Sequence, residues 1–119
     1  MASHNEFGKE AEDQAVAYLV LNNYTILERN YTYQHAEIDI IAWKNNTLVV
    51  VEVKARTSTQ YGEPEAFVNT QKMKLLAKAI DNYIQKKDID AEVRFDIISI
   101  VKNQFRNDLN HIEDAFYPF

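Results

Sequence analysis

Cysteine is absent from this chain of 119 residues, and glycine, proline and tryptophan are scarce, at two, two and one. Without cysteine there is no disulfide and no thiolate metal site, which fits a reducing, cytoplasmic setting. The histidines, His4, His35 and His111, are scattered, so a zinc centre has no ready ligand set. No apolar run is long enough to span a bilayer, and no membrane partner is expected. Residues Met1 to Glu6 lack the basic region and apolar segment of a secretory signal. An excess of positive charge is also missing. The formal net charge is −5, whereas a basic domain is the usual footprint of nucleic-acid binding. No repeat, linker or low-complexity tract interrupts residues 1–119, which are expected to form a single domain.

What is present is the balance of a folded domain, with 46% hydrophobic and 26% charged residues. The chain is organised around Ala36–Arg56, AEIDIIAWKNNTLVVVEVKAR. Runs of Ile and Val flank Lys44-Asn45-Asn46, the pattern of a β-hairpin with a tight turn. Strands apolar on both faces are expected to be buried on both faces, yet Asp39, Glu52 and Lys54 interrupt them. Period-two alternation puts Glu52 and Lys54 on one face and Val53 on the other. The bland reading of Glu-x-Lys is a solvated ion pair worth under ~1 kcal/mol. The continuous valine run and Asp39 on the neighbouring strand argue against a solvated face. Buried carboxylates need a partner or a metal, and an acid-acid-base cluster can hold a hard divalent cation and activate water.

These residues resemble the PD-(D/E)xK superfamily of metal-dependent nucleases. More narrowly, the chain resembles the YraN family of small bacterial proteins, predicted endonucleases distantly similar to archaeal Holliday-junction resolvases. The matching segments are Gly8-x-x-Ala11-Glu12, Arg29-Asn30, Glu37-Ile38-Asp39, Val51-Glu52-Val53-Lys54-x-Arg56, Tyr61-Gly62-x-Pro64, Lys72, Arg94-Phe95-Asp96 and Ala115-Phe116. Ala36 and Asn23 stand where that family usually has glycine. The resemblance implies a restriction-endonuclease-like core and an endonuclease acting on DNA, branched DNA included, with a homodimer left open. It implies Mg²⁺ or Mn²⁺ held by Asp39, Glu52 and the Val53 carbonyl, with Glu12 binding directly or through water. Lys54 would orient the attacking water or stabilise charge on the phosphate, and Arg56, Tyr61, Lys72 and Lys74 would meet the nucleic acid. Residues Lys54 to Lys78 carry a local charge of +3, leaving −8 for the remainder. Two rival readings stay open: a nucleic-acid-binding module with this fold but little catalysis, and a protein-interaction domain whose carboxylates are structural.

Elsewhere, Ser3 and Glu6 have the form of a capping box opening a helix from about His4 to Asn22, with Ala11, Ala15, Tyr18 and Leu19 as its buried stripe. Glu12 borders that stripe; its bland reading is a glutamate stabilised near a helix N-terminus. Asn22-Asn23 can end the helix. A strand is expected over Tyr24–Tyr31, with Tyr31, Tyr33 and His35 crowding the approach to the hairpin. A polar loop follows over Thr57–Pro64, with Pro64 suited to the first turn of a short helix. Thr70 is expected to cap a helix to about Lys86 with Met73, Leu76, Ala77, Ile80 and Ile84 facing inward. A strand over Glu92–Val101 carries Arg94 and Asp96 as a buried structural ion pair. A turn at Asn103–Asn107, a short strand over Leu109–Glu113 and an aromatic tail to Phe119 complete the chain. The expected order is α-β-β-β-α-β-β, an α+β or α/β domain with one mixed sheet covered by helices.

Overall fold

The computed structural model describes residues 4–58 and 68–118. Ser3 of the expected capping box, the loop from Thr59 through Pro64 with Tyr61 and Gly62, the short helix expected there, and Phe119 lie outside the described residues. The fold is α+β, in the expected order. Helix α1 (His4–Leu21) precedes strands β1 (Thr25–Tyr33), β2 (Ala36–Lys44) and β3 (Thr47–Arg56). Helix α2 (Thr70–Lys87) then leads to β4 (Glu92–Lys102) and β5 (Asn107–Phe116). The strands form one mixed sheet in the order β1-β2-β3-β4-β5, in which β3 and β4 run parallel and the other pairs antiparallel. No helix among the described residues is long and apolar enough to cross a membrane.

The turns follow from asparagine chemistry. Asn45 and Asn46 take φ of 50° and 58° between the closing pair Lys44↔Thr47, the two left-handed residues of a tight hairpin. Asn23 ends α1 at φ 70°, a conformation that explains a glycine preference there. The cap of α2 is Asn69, one residue before the expected Thr70; its side chain accepts the Lys72 N–H at 2.8 Å. At the other end Asp88, left-handed, donates its N–H to the Gln85 and Ile84 carbonyls.

Two cores lie on the two faces of the sheet. On one, Leu76, Ala79, Ile80 and Tyr83 of α2 pack against Ile38, Leu48, Val50, Phe95 and Ile97. On the other, Ala11, Ala15 and Leu19 of α1 pack against Ile40, Val49, Val51, Ile98 and Ile100. The valine run is therefore buried on both sides, as its composition requires. The inward face of α2 differs from the expected one: Ala79 and Tyr83 are buried and Ala77 is not. Tyr83 meets Tyr31 edge to face, centroids 5.1 Å apart.

Strand β5 is longer than the expected Leu109–Glu113, and Asp96 is the reason. Asp96 is fully buried and accepts four hydrogen bonds: two from Arg94 (2.9 and 2.8 Å), one from His111 Nε2 (2.7 Å) and one from the Asp114 N–H (3.0 Å). Asp114 turns its N–H inward at φ 52°, where the β4–β5 register shifts, and the strand continues to pair Phe116 with Phe95. Burial by itself raises the Asp96 pKa, but the His111, Arg94 and Asp114 bonds outweigh it and hold the carboxyl below its ordinary value. Its contribution to stability is present above the unfolded carboxyl range, near pH 4, and is lost as pH falls through the lowered folded value. Asp96→Ala strands Arg94 and His111 in a buried setting and should destabilise by about 3 kcal/mol or more. Urea unfolding at pH 7 tests this, and a loss under 1 kcal/mol would contradict the structural role.

Candidate functional site

The site begins where two strands part. Pairing of β2 with β3 runs from Lys44↔Thr47 to Ile40↔Val51. Beyond that pair, Asp39 Oδ2 accepts the Val53 N–H at 2.9 Å, so a side chain takes a bond that a strand backbone would otherwise make. The alternation of β2 slips at the same residue: Ala36 and Ile38 belong to the α2-side core, Ile40 and Ala42 to the α1-side core. In an extended strand the N–H and C=O of one residue point to the same side, so the Val53 carbonyl also faces this fork.

Asp39, Glu52, Val53 and Lys54 line a cavity of about 600 Å³, closed on its other side by Lys72 and Gln71 of α2. Asp39 and Lys54 also line a second cavity of about 330 Å³, whose far wall carries Glu12 and Asn30. The fork therefore opens toward both helices. Glu52 is 2% exposed, and its Oε2 pairs with Lys72 Nζ at 2.7 Å. Its other oxygen, Oε1, is buried without a hydrogen-bond partner among the described residues, a state that is expensive for a charged group.

Burial, then the neighbouring Glu52 carboxylate, push the Asp39 pKa up to about 7, against the lowering bond from the Val53 N–H. Glu12 adds to the rise and Lys72 opposes it. Lys54 is shifted down, by burial first and then by the adjacent Lys72, with Glu52 and Asp39 resisting. Burial lowers Lys72 too, but its bond to Glu52 outweighs that and raises it. Two acids and two ammonium groups are thus crowded into one partly dry pocket, where each charge depends on the others.

The other expected site residues are placed as follows. Glu12 faces the fork from α1 but is held by Arg29 Nε and Asn30 Nδ2, both at 3.0 Å. Arg56 lies half-buried at the end of β3, on the face of Glu52 and Lys54 by alternation. Lys74 is exposed on α2 and does not line the cavity. Tyr61 lies outside the described residues. Lys72, expected to meet phosphate, points at Glu52 instead. Among the described residues no group of three or more His, Asp or Glu side chains is spaced to hold a metal; the carboxylates lining the main cavity are Glu37, Asp39 and Glu52.

Some participants carried no assigned role in the sequence. Arg29 and Asn30 clamp Glu12, and Asn30 does so from φ 54° inside β1, a backbone state uncommon within a strand. Gln71 and the cap Asn69 line the main cavity. Helical spacing could have signalled Asn69, Gln71 and Lys72 as one first turn, had the cap been put at Asn69.

The raised Asp39 has a definite consequence for stability. Its carboxyl keeps a proton in the folded protein that the unfolded chain releases near pH 4. Its stabilising contribution is present below pH 4 and is lost as pH rises to about 7. In chelator, Asp39→Asn, which can still accept the Val53 N–H, should raise the melting temperature at pH 8 by several degrees and change little at pH 4.5. Melts across that range check it; a variant destabilised at pH 8 would mean that Asp39 is a stabilising ion-pair partner.

The chain also has close relatives. The family described as "Uncharacterised protein family UPF0102" matches residues 11–100. The UPF0102 protein of Christiangramia forsetii is 50% identical over 119 residues, covering all of both chains. A relative from Flavobacterium psychrophilum is also 50% identical over the full length of both. One from Phocaeicola vulgatus is 45% identical over 99% of this chain and 98% of its own. With a family match over most of the chain and full-length relatives at this identity, the chain belongs to the UPF0102 family.

Proposed function

We propose that this protein is a metal-dependent endonuclease that hydrolyses phosphodiester bonds of DNA, branched DNA among its substrates, in the cytoplasm. The observation that supports this most is the fork itself. Glu52, buried, and Asp39, half-buried, share the foot of an open cavity, with Lys54 two residues beyond Glu52 on the same strand face.

The donors fit a hard divalent cation. Asp39, Glu52 and the Val53 carbonyl are oxygen donors of the kind that select Mg²⁺ or Mn²⁺. The unpartnered Glu52 Oε1 is a buried acceptor that such an ion would satisfy. When bound, the cation would lower the pKa of a water and offset negative charge on the phosphate. Lys54, with its lowered pKa, can orient that water or hydrogen-bond a phosphate oxygen. Glu12, fixed by Arg29 and Asn30, bounds the second cavity and adds negative field at Asp39. Arg56 and Lys74 offer positive charge to the flanking backbone.

A rival reading keeps the binding and drops the catalysis. It is favoured by the Lys72–Glu52 ion pair, which already neutralises one carboxylate, and by the lack, among the described residues, of a third acidic or histidine side chain grouped with the two carboxylates. Purified protein incubated with flaps, forks, four-way junctions, duplex and single strands separates the two. Cleavage is expected with Mg²⁺ or Mn²⁺, should stop in chelator, and should fall at least about a hundredfold in Lys54→Ala. Salt-dependent DNA binding without cleavage under any metal would leave only the binding module. Metal should also stabilise the folded protein by mass action, about 1.4 kcal/mol at roughly ten times the dissociation constant. That is a shift on the order of 5 °C, absent in Asp39→Asn.

A further inference from the structure

We infer that Lys72 is a built-in competitor for the site: its ammonium holds Glu52 in the metal-free protein and leaves when a divalent cation enters. The freed ammonium then faces the cavity, where a substrate phosphate would lie. The inference rests on the nuclease reading above and deepens it.

The geometry gives Lys72 both a fixed base and a mobile head. Its backbone N–H is held by the Asn69 cap at 2.8 Å, in the first turn of α2. Its side chain is 35% exposed while its partner Glu52 is 3% exposed, so the ammonium, not the carboxylate, has somewhere to go. That somewhere is the 600 Å³ cavity that Lys72 itself lines. The pair satisfies only one oxygen of Glu52, since Oε1 stays without a hydrogen-bond partner. A lysine head is a point charge that takes one acceptor direction at a time, whereas a divalent cation can engage several oxygens at once. Lys54 lines the same cavity as Lys72. A divalent charge arriving beside Lys72, whose side chain is 35% exposed, repels that ammonium outward. Asp39 offers the entering ion a second carboxylate that Lys72 does not pair with. Exchange at Glu52 therefore couples the arrival of the cation to the release of a positive group toward substrate.

Calorimetric titration of Mn²⁺ and Mg²⁺ at pH 8 into wild type, Lys72→Met, Lys54→Met and Asp39→Asn tests this. A charge-assisted bond lost from the competing state should tighten binding in Lys72→Met by about ten- to a hundredfold. Lys54→Met removes a charge from the same pocket and leaves the Lys72–Glu52 bond intact, so its gain should be clearly smaller. Equal gains in the two lysine variants, or none in Lys72→Met, overturn the inference. Should Lys72→Met fail to fold, the ¹³Cε–¹Hε NMR signals of Lys72 in wild type decide. They should shift with Mg²⁺ at the calorimetric midpoint, and signals unmoved at saturation mean that the ammonium stays on Glu52. Metal bound by wild type, lost in Asp39→Asn and unchanged in Lys72→Met would sink the exchange alone. No metal bound by any of these proteins at millimolar concentration would sink the nuclease reading with it.

Discussion

A single hydrogen bond, from the Val53 N–H to Asp39 Oδ2, sets the geometry on which the candidate site depends. Two strands that pair from the Asn45-Asn46 turn to Ile40↔Val51 must either stay zipped or leave backbone groups unsatisfied where they part. A buried N–H without a partner is costly. Asp39 meets the need with a side chain, so β2 and β3 diverge with that donor satisfied. The opening this leaves is lined by Asp39, Glu52 and Lys54, the charged residues set within the apolar strands. The cores on both faces hold the strands rigidly up to that point, and a rigid frame is what a site of close charges requires.

The sheet contains two nearly buried aspartates with opposite fates, and the difference is the number of donors. Asp96 accepts four hydrogen bonds and is held as a carboxylate. Asp39 accepts one from the backbone and faces Glu52, so its charge is disfavoured. Arg94, His111 and the bulge at Asp114 converge on Asp96 within β4, and Tyr24 and Tyr18 in turn bond Arg94 and His111. Nothing comparable supports Asp39. A carboxylate left short of donors among other charges is poised to accept a cation; one surrounded by donors is part of the frame.

Much of this was legible in the sequence because it rests on local chemistry. The Asn-Asn turn, the valine run buried on both faces, the α1 stripe and the Arg94–Asp96 pair all follow from periodicity and turn preference. What escaped depended on tertiary choices. Asn69 and Thr70 are both competent caps, and only the docking of α2 selects Asn69. The face of α2 that is buried, with Ala79 and Tyr83 inward and Ala77 at the margin, is set by its packing on the sheet, where Tyr83 meets Tyr31. The length of β5 was hidden because Asp114 looks like a strand breaker until Asp96 claims its N–H. From the sequence Lys72 is expected to meet nucleic acid, since no spacing rule says that Glu52, twenty residues earlier, lies beneath it.

The acidic total also takes on a different meaning in three dimensions. A net charge of −5 disfavours sliding over any duplex by counterion release alone. Several of the acids are internally matched: Glu12 and Asp13 by Arg29, Asp96 by Arg94, Glu10 by Lys102 and Asp108 by Arg106. These pairs cancel locally and leave the net charge unchanged, so what a polyanion meets depends on the local field. Near the fork that field comes from Lys54, Lys72 and Arg56, and it strengthens if a divalent ion replaces Lys72 on Glu52. On the nuclease reading proposed above, an overall repulsion combined with a local, cation-dependent attraction would favour substrates that can present a phosphate deep in the cavity over those offering only a uniform backbone. Bent or branched DNA would do this more readily than a straight duplex, since its backbone is exposed from more than one direction. On this argument the acidic surface is a source of selectivity.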